Sequence, residues 1–198
     1  RDTDRSRGLG DVYKRQDPKH IVNGQLKIPP NMWYIGTANN DDSTFAITDK
    51  VYDRAMPINI DTKGVPFEAP LTDSVYISYK HFEYILNAAK VQFVVSEETL
   101  KKIALLDDYV IEHFRIAFGN RIVKQLRDFV PAYVGTGGTE LDGLDYVLAR
   151  KVFRKFESLN LSYIRDEIDG LCAYIDELFG EENMTESKDY LRMLKKLV

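Results

Sequence analysis

Cysteine is nearly absent. Cys172 is the only one in 198 residues, which excludes an intrachain disulfide framework and any cysteine-based zinc site. Its surroundings, Gly170-Leu171-Cys172-Ala173-Tyr174, are apolar and suit a helix, so it reads as a small buried hydrophobe. A chain without disulfides has the cytoplasm as its default location. Histidine is scarce too: His20, His81 and His113 are scattered, with no second ligand at metal spacing. No apolar run approaches the ~20 residues of a membrane span, and the polar N-terminus lacks the apolar segment of a signal peptide. No membrane partner is expected. The Gly-x-x-x-x-Gly-Lys-Ser/Thr loop that cradles phosphates is missing. Gly135-Thr136-Gly137-Gly138-Thr139 is glycine-rich but has no lysine and follows a helical run, so it reads as a connector.

What is present is a globular composition: 44% hydrophobic and 29% charged residues, with a net charge of −4. That balance excludes a wholly disordered chain. The first sixteen residues, RDTDRSRGLGDVYKRQ, have no apolar periodicity and resemble translated adaptor sequence, so residues 1–16 are read as a non-native leader. They are basic, with Arg1, Arg5, Arg7, Lys14 and Arg15 against Asp2, Asp4 and Asp11. The body is therefore more acidic than the whole, which argues against a surface that coats nucleic acid generally.

Two textures follow. Residues 17–72 are turn-rich and strand-like and hold six of the seven prolines, Pro18, Pro29, Pro30, Pro57, Pro66 and Pro70. Residues 73–198 are helical in pattern, with only Pro131. Ile28-Pro29-Pro30-Asn31 opens a turn, since a residue before proline avoids the helical region. Met32 to Thr37 is a short aromatic and β-branched run and reads as a buried strand. Residues 38–43 read as a polar loop, Thr48–Ala55 as a short helix, and Met56–Ile60 as a second strand at an edge or strand start. Beyond them, helices are expected over Tyr79–Val91, from Ser96, over Tyr109–Val130 with a break near Gly119, and over Leu141–Leu159. Two more are expected over Ile164–Phe179, stopping at Gly180, and from Glu186 to the end. Helices that bury one another make a bundle.

The segment from Ile28 to Asp61, IPPNMWYIGTANNDDSTFAITDKVYDRAMPINID, resembles one stretch of the AAA+ nucleoside-triphosphatases in their McrB-like branch. There a strand ending in Gly-Thr-Met-Asn runs into Thr-Ala-Asp-Arg-Ser, and a short helix of the type Leu-Asp-x-Ala-Leu-Arg-Arg-Arg-Phe follows. Here the first part reads Gly36-Thr37-Ala38-Asn39-Asn40-Asp41-Asp42-Ser43, and the second runs from Ile47 to Met56. The resemblance implies an α/β fragment, the C-terminal strands of an AAA+ core, followed by an α-helical lid bundle and mostly α overall. Asn39 looks like sensor 1, a neutral donor and acceptor on a strand tip that orients the attacking water or the terminal phosphate. Asp42 matches the acidic position of the family's Asn-Thr-Ala-Asp element and is implied as a nucleotide contact. Asn40, Asp41 and Ser43 depart from that element, so a preference for GTP is not carried over. Arg54 looks like the arginine finger, a guanidinium that reaches the neighbouring subunit's nucleotide. Asp53 and Ala55 stand where the family has further arginines.

Phe118-Gly119-Asn120-Arg121 resembles the family's sensor 2 signature at the start of a lid helix. It implies that Arg121 contacts the nucleotide where a helix N-terminus already favours anions; Arg115 is the competing candidate. Lys151, Arg154 and Lys155 read as a solvated helix face, with a contact to DNA or a partner subunit as the alternative. The intact protein is expected to use ATP or GTP with Mg²⁺ and to form a homo-oligomeric ring, with a nuclease subunit and DNA as partners. The rival readings are a non-catalytic AAA+ scaffold and an unrelated helical interaction module in which the Asn-rich loop is a plain turn.

Overall fold

Serines mark where the helical part begins. In the computed structural model, which describes residues 21–22, 25–26, 28–38, 51, 54–58, 60 and 63–196, helix α1 spans Tyr79–Gln92 and is capped by Ser78, whose hydroxyl accepts the His81 N–H at 3.2 Å. Helix α2, Glu97–Phe114, is capped by Ser96 through the Thr99 N–H at 3.1 Å, with Glu97 and Glu98 in the first turn. Both caps supply acceptors to amide donors that a helix start leaves open. Helix α3 covers Gly119–Gly135, α4 Glu140–Val147, α5 Leu161–Phe179 and α6 Thr185–Lys196.

The chain divides into two compact units, residues 1–44 and 45–198. In the first, an antiparallel ladder pairs β1, Ile21–Val22, with β2, Gln25–Leu26, in the register Ile21 to Leu26 and Val22 to Gln25. The sequence reading passed over this ladder, although Asn23-Gly24 between the two pairs is a strong hairpin dipeptide. The expected turn is present: the Met32 N–H donates to the Pro29 carbonyl at 3.1 Å.

The expected buried strand at Met32–Thr37 is not formed. These residues are irregular and exposed, with Trp33 at 69% and Ile35 at 92% of their full accessibility. Met56 to Ile60 likewise forms no strand over its described residues, and Ile58 and Ile60 are exposed. Apolar, β-branched sequence supplies the propensity for a strand but not its partner; the ladder's hydrogen bonds need a second chain segment alongside. The α/β part of the expected fold is therefore not seen among the described residues. The expected helix at Thr48–Ala55 lies largely outside them.

The second unit is a helical bundle. Leu106, Val110, Leu126, Leu148, Leu171 and Ile175 are fully or almost fully buried in one continuous core. Helix α2 runs unbroken to Phe114 because Ile103, Leu106, Val110 and Phe114 form one stripe, where two separate helical runs were expected. It stops at Arg115, which takes the left-handed conformation at φ 58°. The break anticipated near Gly119 is thus real and occupies residues 115–118. Helix α5 ends at Gly180, φ 93°, as its sequence indicates. Cys172 is buried, as expected.

The single helix expected over Leu141–Leu159 is instead three segments. After α4 come a π-helical turn, Leu148–Val152, and a 3₁₀ segment, Phe153–Ser158. An unbroken α-helix would keep only the stripe Leu144, Leu148, Val152 and Phe156 inward. A wide π turn shifts the phase, and a 3₁₀ segment eclipses positions three apart. Phe153 and Phe156 then share the buried side, their rings edge to face with centroids 5.7 Å apart.

Candidate functional site

Asn39 and Asp42, implied as sensor 1 and the acidic nucleotide contact, lie outside the described residues. Arg54 and Arg121 lie within them, both in the helical unit. Arg54 sits on a turn closed by two bonds to the Val51 carbonyl, from the Arg54 N–H at 3.0 Å and from the Ala55 N–H at 2.8 Å. Its side chain is exposed. An arginine held on a short closed turn with its guanidinium in solvent suits contact with an anion from outside the unit.

Arg121 is the third residue of α3 and is exposed. The N-terminus of α3 has no side-chain cap from Phe118, but the Phe118 N–H donates to the Asp107 carboxylate at 2.8 Å. One carboxylate thus already answers the positive end of this helix, so an incoming phosphate there would meet Asp107 as well as Arg121. Arg115, the competing residue, is exposed and sits at the left-handed end of α2, at the opposite side of the same short corner.

The basic run reads differently in three dimensions. Lys151 is 4% exposed and buried in the π turn, and Arg154 and Lys155 are partly buried. The expectation of a solvated helix face is corrected here. The phase shift of the π turn carries the run toward the interior, and Lys151 already stood three residues after Leu148 and seven after Leu144, beside the apolar stripe. Lys151 Nζ donates to the Ala55 carbonyl, and Lys155 Nζ to the Ala117 carbonyl at 3.4 Å. Two lysines four residues apart therefore bind backbone carbonyls of two separate loops. One loop carries Arg54; the other joins α2 to α3, between Arg115 and Arg121.

Arg150, next to this pair, stacks on Tyr146, with its guanidinium carbon 3.6 Å from the ring centroid, and pairs with Glu186. That contact ties the π turn to the start of α6. A shallow cleft of about 270 Å³ is lined by Lys90, Val94, Val95, Glu97, Leu100, Arg127 and Pro131. It mixes charge of both signs and gathers none of the described candidate site residues Arg54, Arg115 and Arg121. Among the described residues, no group of three or more His, Cys, Asp or Glu side chains is placed to hold a metal ion, and no helix is long and apolar enough to cross a membrane.

Lys151 and Lys155 were missed as structural donors by the sequence reading. The available signal was the position of Lys151 beside the apolar stripe, three residues after Leu148, which a charge-run reading overlooks. No family model, curated protein or solved structure matches this chain.

Proposed function

We propose that this chain is the C-terminal part of a ring-forming AAA+ nucleoside-triphosphatase of the McrB-like kind, with Arg54 as the finger that enters a neighbour's nucleotide site. The observation that carries the reading is the exposed Arg54 on its closed turn. It falls at the family's position in a segment whose order of motifs, from Gly36 through Asn39 and Asp42 to Arg54, follows the family's. A finger works by placing a full positive charge where the transferring phosphoryl group spreads negative charge. It needs an exposed head on a fixed base.

The exposed apolar stretches support the same reading. Trp33, Tyr34, Ile35, Ile58 and Ile60 are solvent-facing in the described residues, and sheet-forming sequence of this kind calls for neighbouring strands. The core strands of an AAA+ domain would cover it. In the intact protein, Asn39 would orient water or the terminal phosphate, Arg121 would contact the bound nucleotide, and ATP or GTP with Mg²⁺ would supply the reacting phosphoryl group. A homo-oligomeric ring, with a nuclease subunit and DNA as its partners, follows from the same resemblance.

The test joins residues 17 onward to the coding sequence upstream and assays ATP and GTP hydrolysis. Magnesium-dependent turnover of either nucleotide is expected. An upstream sequence without a phosphate-binding loop, and no turnover, would leave a non-catalytic scaffold as the better account.

A further inference from the structure

Lys151 carries a charge that burial penalises, and such charges persist in proteins where hydrogen bonds answer them. At 4% exposure its ammonium donates to the Ala55 carbonyl, 96 residues earlier in the chain. That carbonyl belongs to the residue directly after Arg54. Inside the turn, the Val51 carbonyl accepts from both Arg54 and Ala55; outside it, Lys151 fixes the next peptide plane. The base from which Lys151 reaches is itself rigid. It lies in the π turn, where Leu148, Ala149 and Val152 are buried, and Lys155 one turn later is bonded to the Ala117 carbonyl.

We propose that Lys151 is the positioning residue of the Arg54 turn: its buried ammonium anchors the Ala55 carbonyl to the helical bundle and so fixes the base from which the Arg54 guanidinium projects. Lys151 touches no reacting atom. It limits the backbone freedom that an arginine on a loop would otherwise lose each time it engages an anion. The anchoring is a property of this chain alone. Its value for hydrolysis rests on the reading of Arg54 as a finger.

Trypsin reads the anchoring directly, because Arg54–Ala55 is itself a cleavable bond. Lys63–Gly64, in exposed irregular chain nearby, is the internal reference. In the 198-residue protein, cleavage after Arg54 is expected to run about tenfold or more slower than cleavage after Lys63, since the protease must first break the anchor. Lys151→Met, which keeps the unbranched stem but not the ammonium, should bring the two rates together. Lys151→Arg, which keeps a donor, should restore the difference, with the thermal melting of the helices unchanged in both. Equal cleavage at the two sites in the wild-type chain would overturn the proposal, even if Lys151→Met failed to fold. So would an unchanged Arg54 rate in a folded Lys151→Met. If Arg54→Ala left nucleotide hydrolysis unaffected, the finger reading would fall while this protease result stood by itself.

Discussion

The Asp145 carboxylate on α4 accepts the backbone N–H of Ser187 on α6 at 2.8 Å, across 42 residues of chain, and its other oxygen accepts the Glu186 N–H at the same distance. A side chain from one helix thus caps the start of another. Asp145 is only 5% exposed and Ser187 is fully buried, whereas Glu186 is exposed, so removing the carboxylate strands the Ser187 donor. Asp145→Ala is expected to cost about 1–3 kcal/mol, the penalty of stranding a buried donor. Urea unfolding of wild type and variant measures it; a loss within about 0.5 kcal/mol, the range of ordinary surface changes, would show that the cap is dispensable.

The same carboxyl has a pH signature. Burial pushes the Asp145 pKa above its ordinary value, with the bonds from Ser187 and Glu186 pulling the other way. The folded protein therefore holds this proton more tightly than the unfolded chain does. The resulting contribution is fully present below the unfolded aspartate pKa of about 3.9 and is lost as pH rises through the raised folded value. Asp145→Asn does not titrate. The stability of wild type relative to Asp145→Asn should fall as pH rises through that window and then level off. A difference that grows with pH would mean that the two hydrogen bonds outweigh burial.

Cys172 is buried, and burial first of all raises the pKa of its thiol. The thiolate is the reactive form, so the native protein is expected to react with iodoacetamide at least about tenfold more slowly than the urea-unfolded chain at pH 8. Equal rates would place the thiol at the surface and contradict the packing of α5.

The helices were legible in the sequence because their signals are local. Ser78 and Ser96 precede their helices, Gly180 follows α5, and the stripe Ile103–Leu106–Val110–Phe114 has helical spacing. The π turn was not legible, since Leu144, Leu148, Val152 and Phe156 fit an unbroken helix. Met32–Thr37 failed for the opposite reason: its strand propensity is local, but pairing is not. Of the candidate residues, Arg54 is exposed and Arg121 stands in the first turn of α3; neither position by itself assigns a role. The anchor from Lys151 to Ala55 is a contact between distant residues, which spacing along a chain does not encode.

The most direct test of the proposed finger role is nucleotide hydrolysis by a polypeptide that joins this chain to its upstream coding sequence and carries Arg54→Ala. The account predicts a loss of about 10³- to 10⁵-fold, the range known for arginine fingers. It also predicts partial recovery when that variant is mixed with subunits that lack the phosphate-loop lysine but keep Arg54, because the finger acts across the subunit boundary. Hydrolysis unchanged by Arg54→Ala would contradict it.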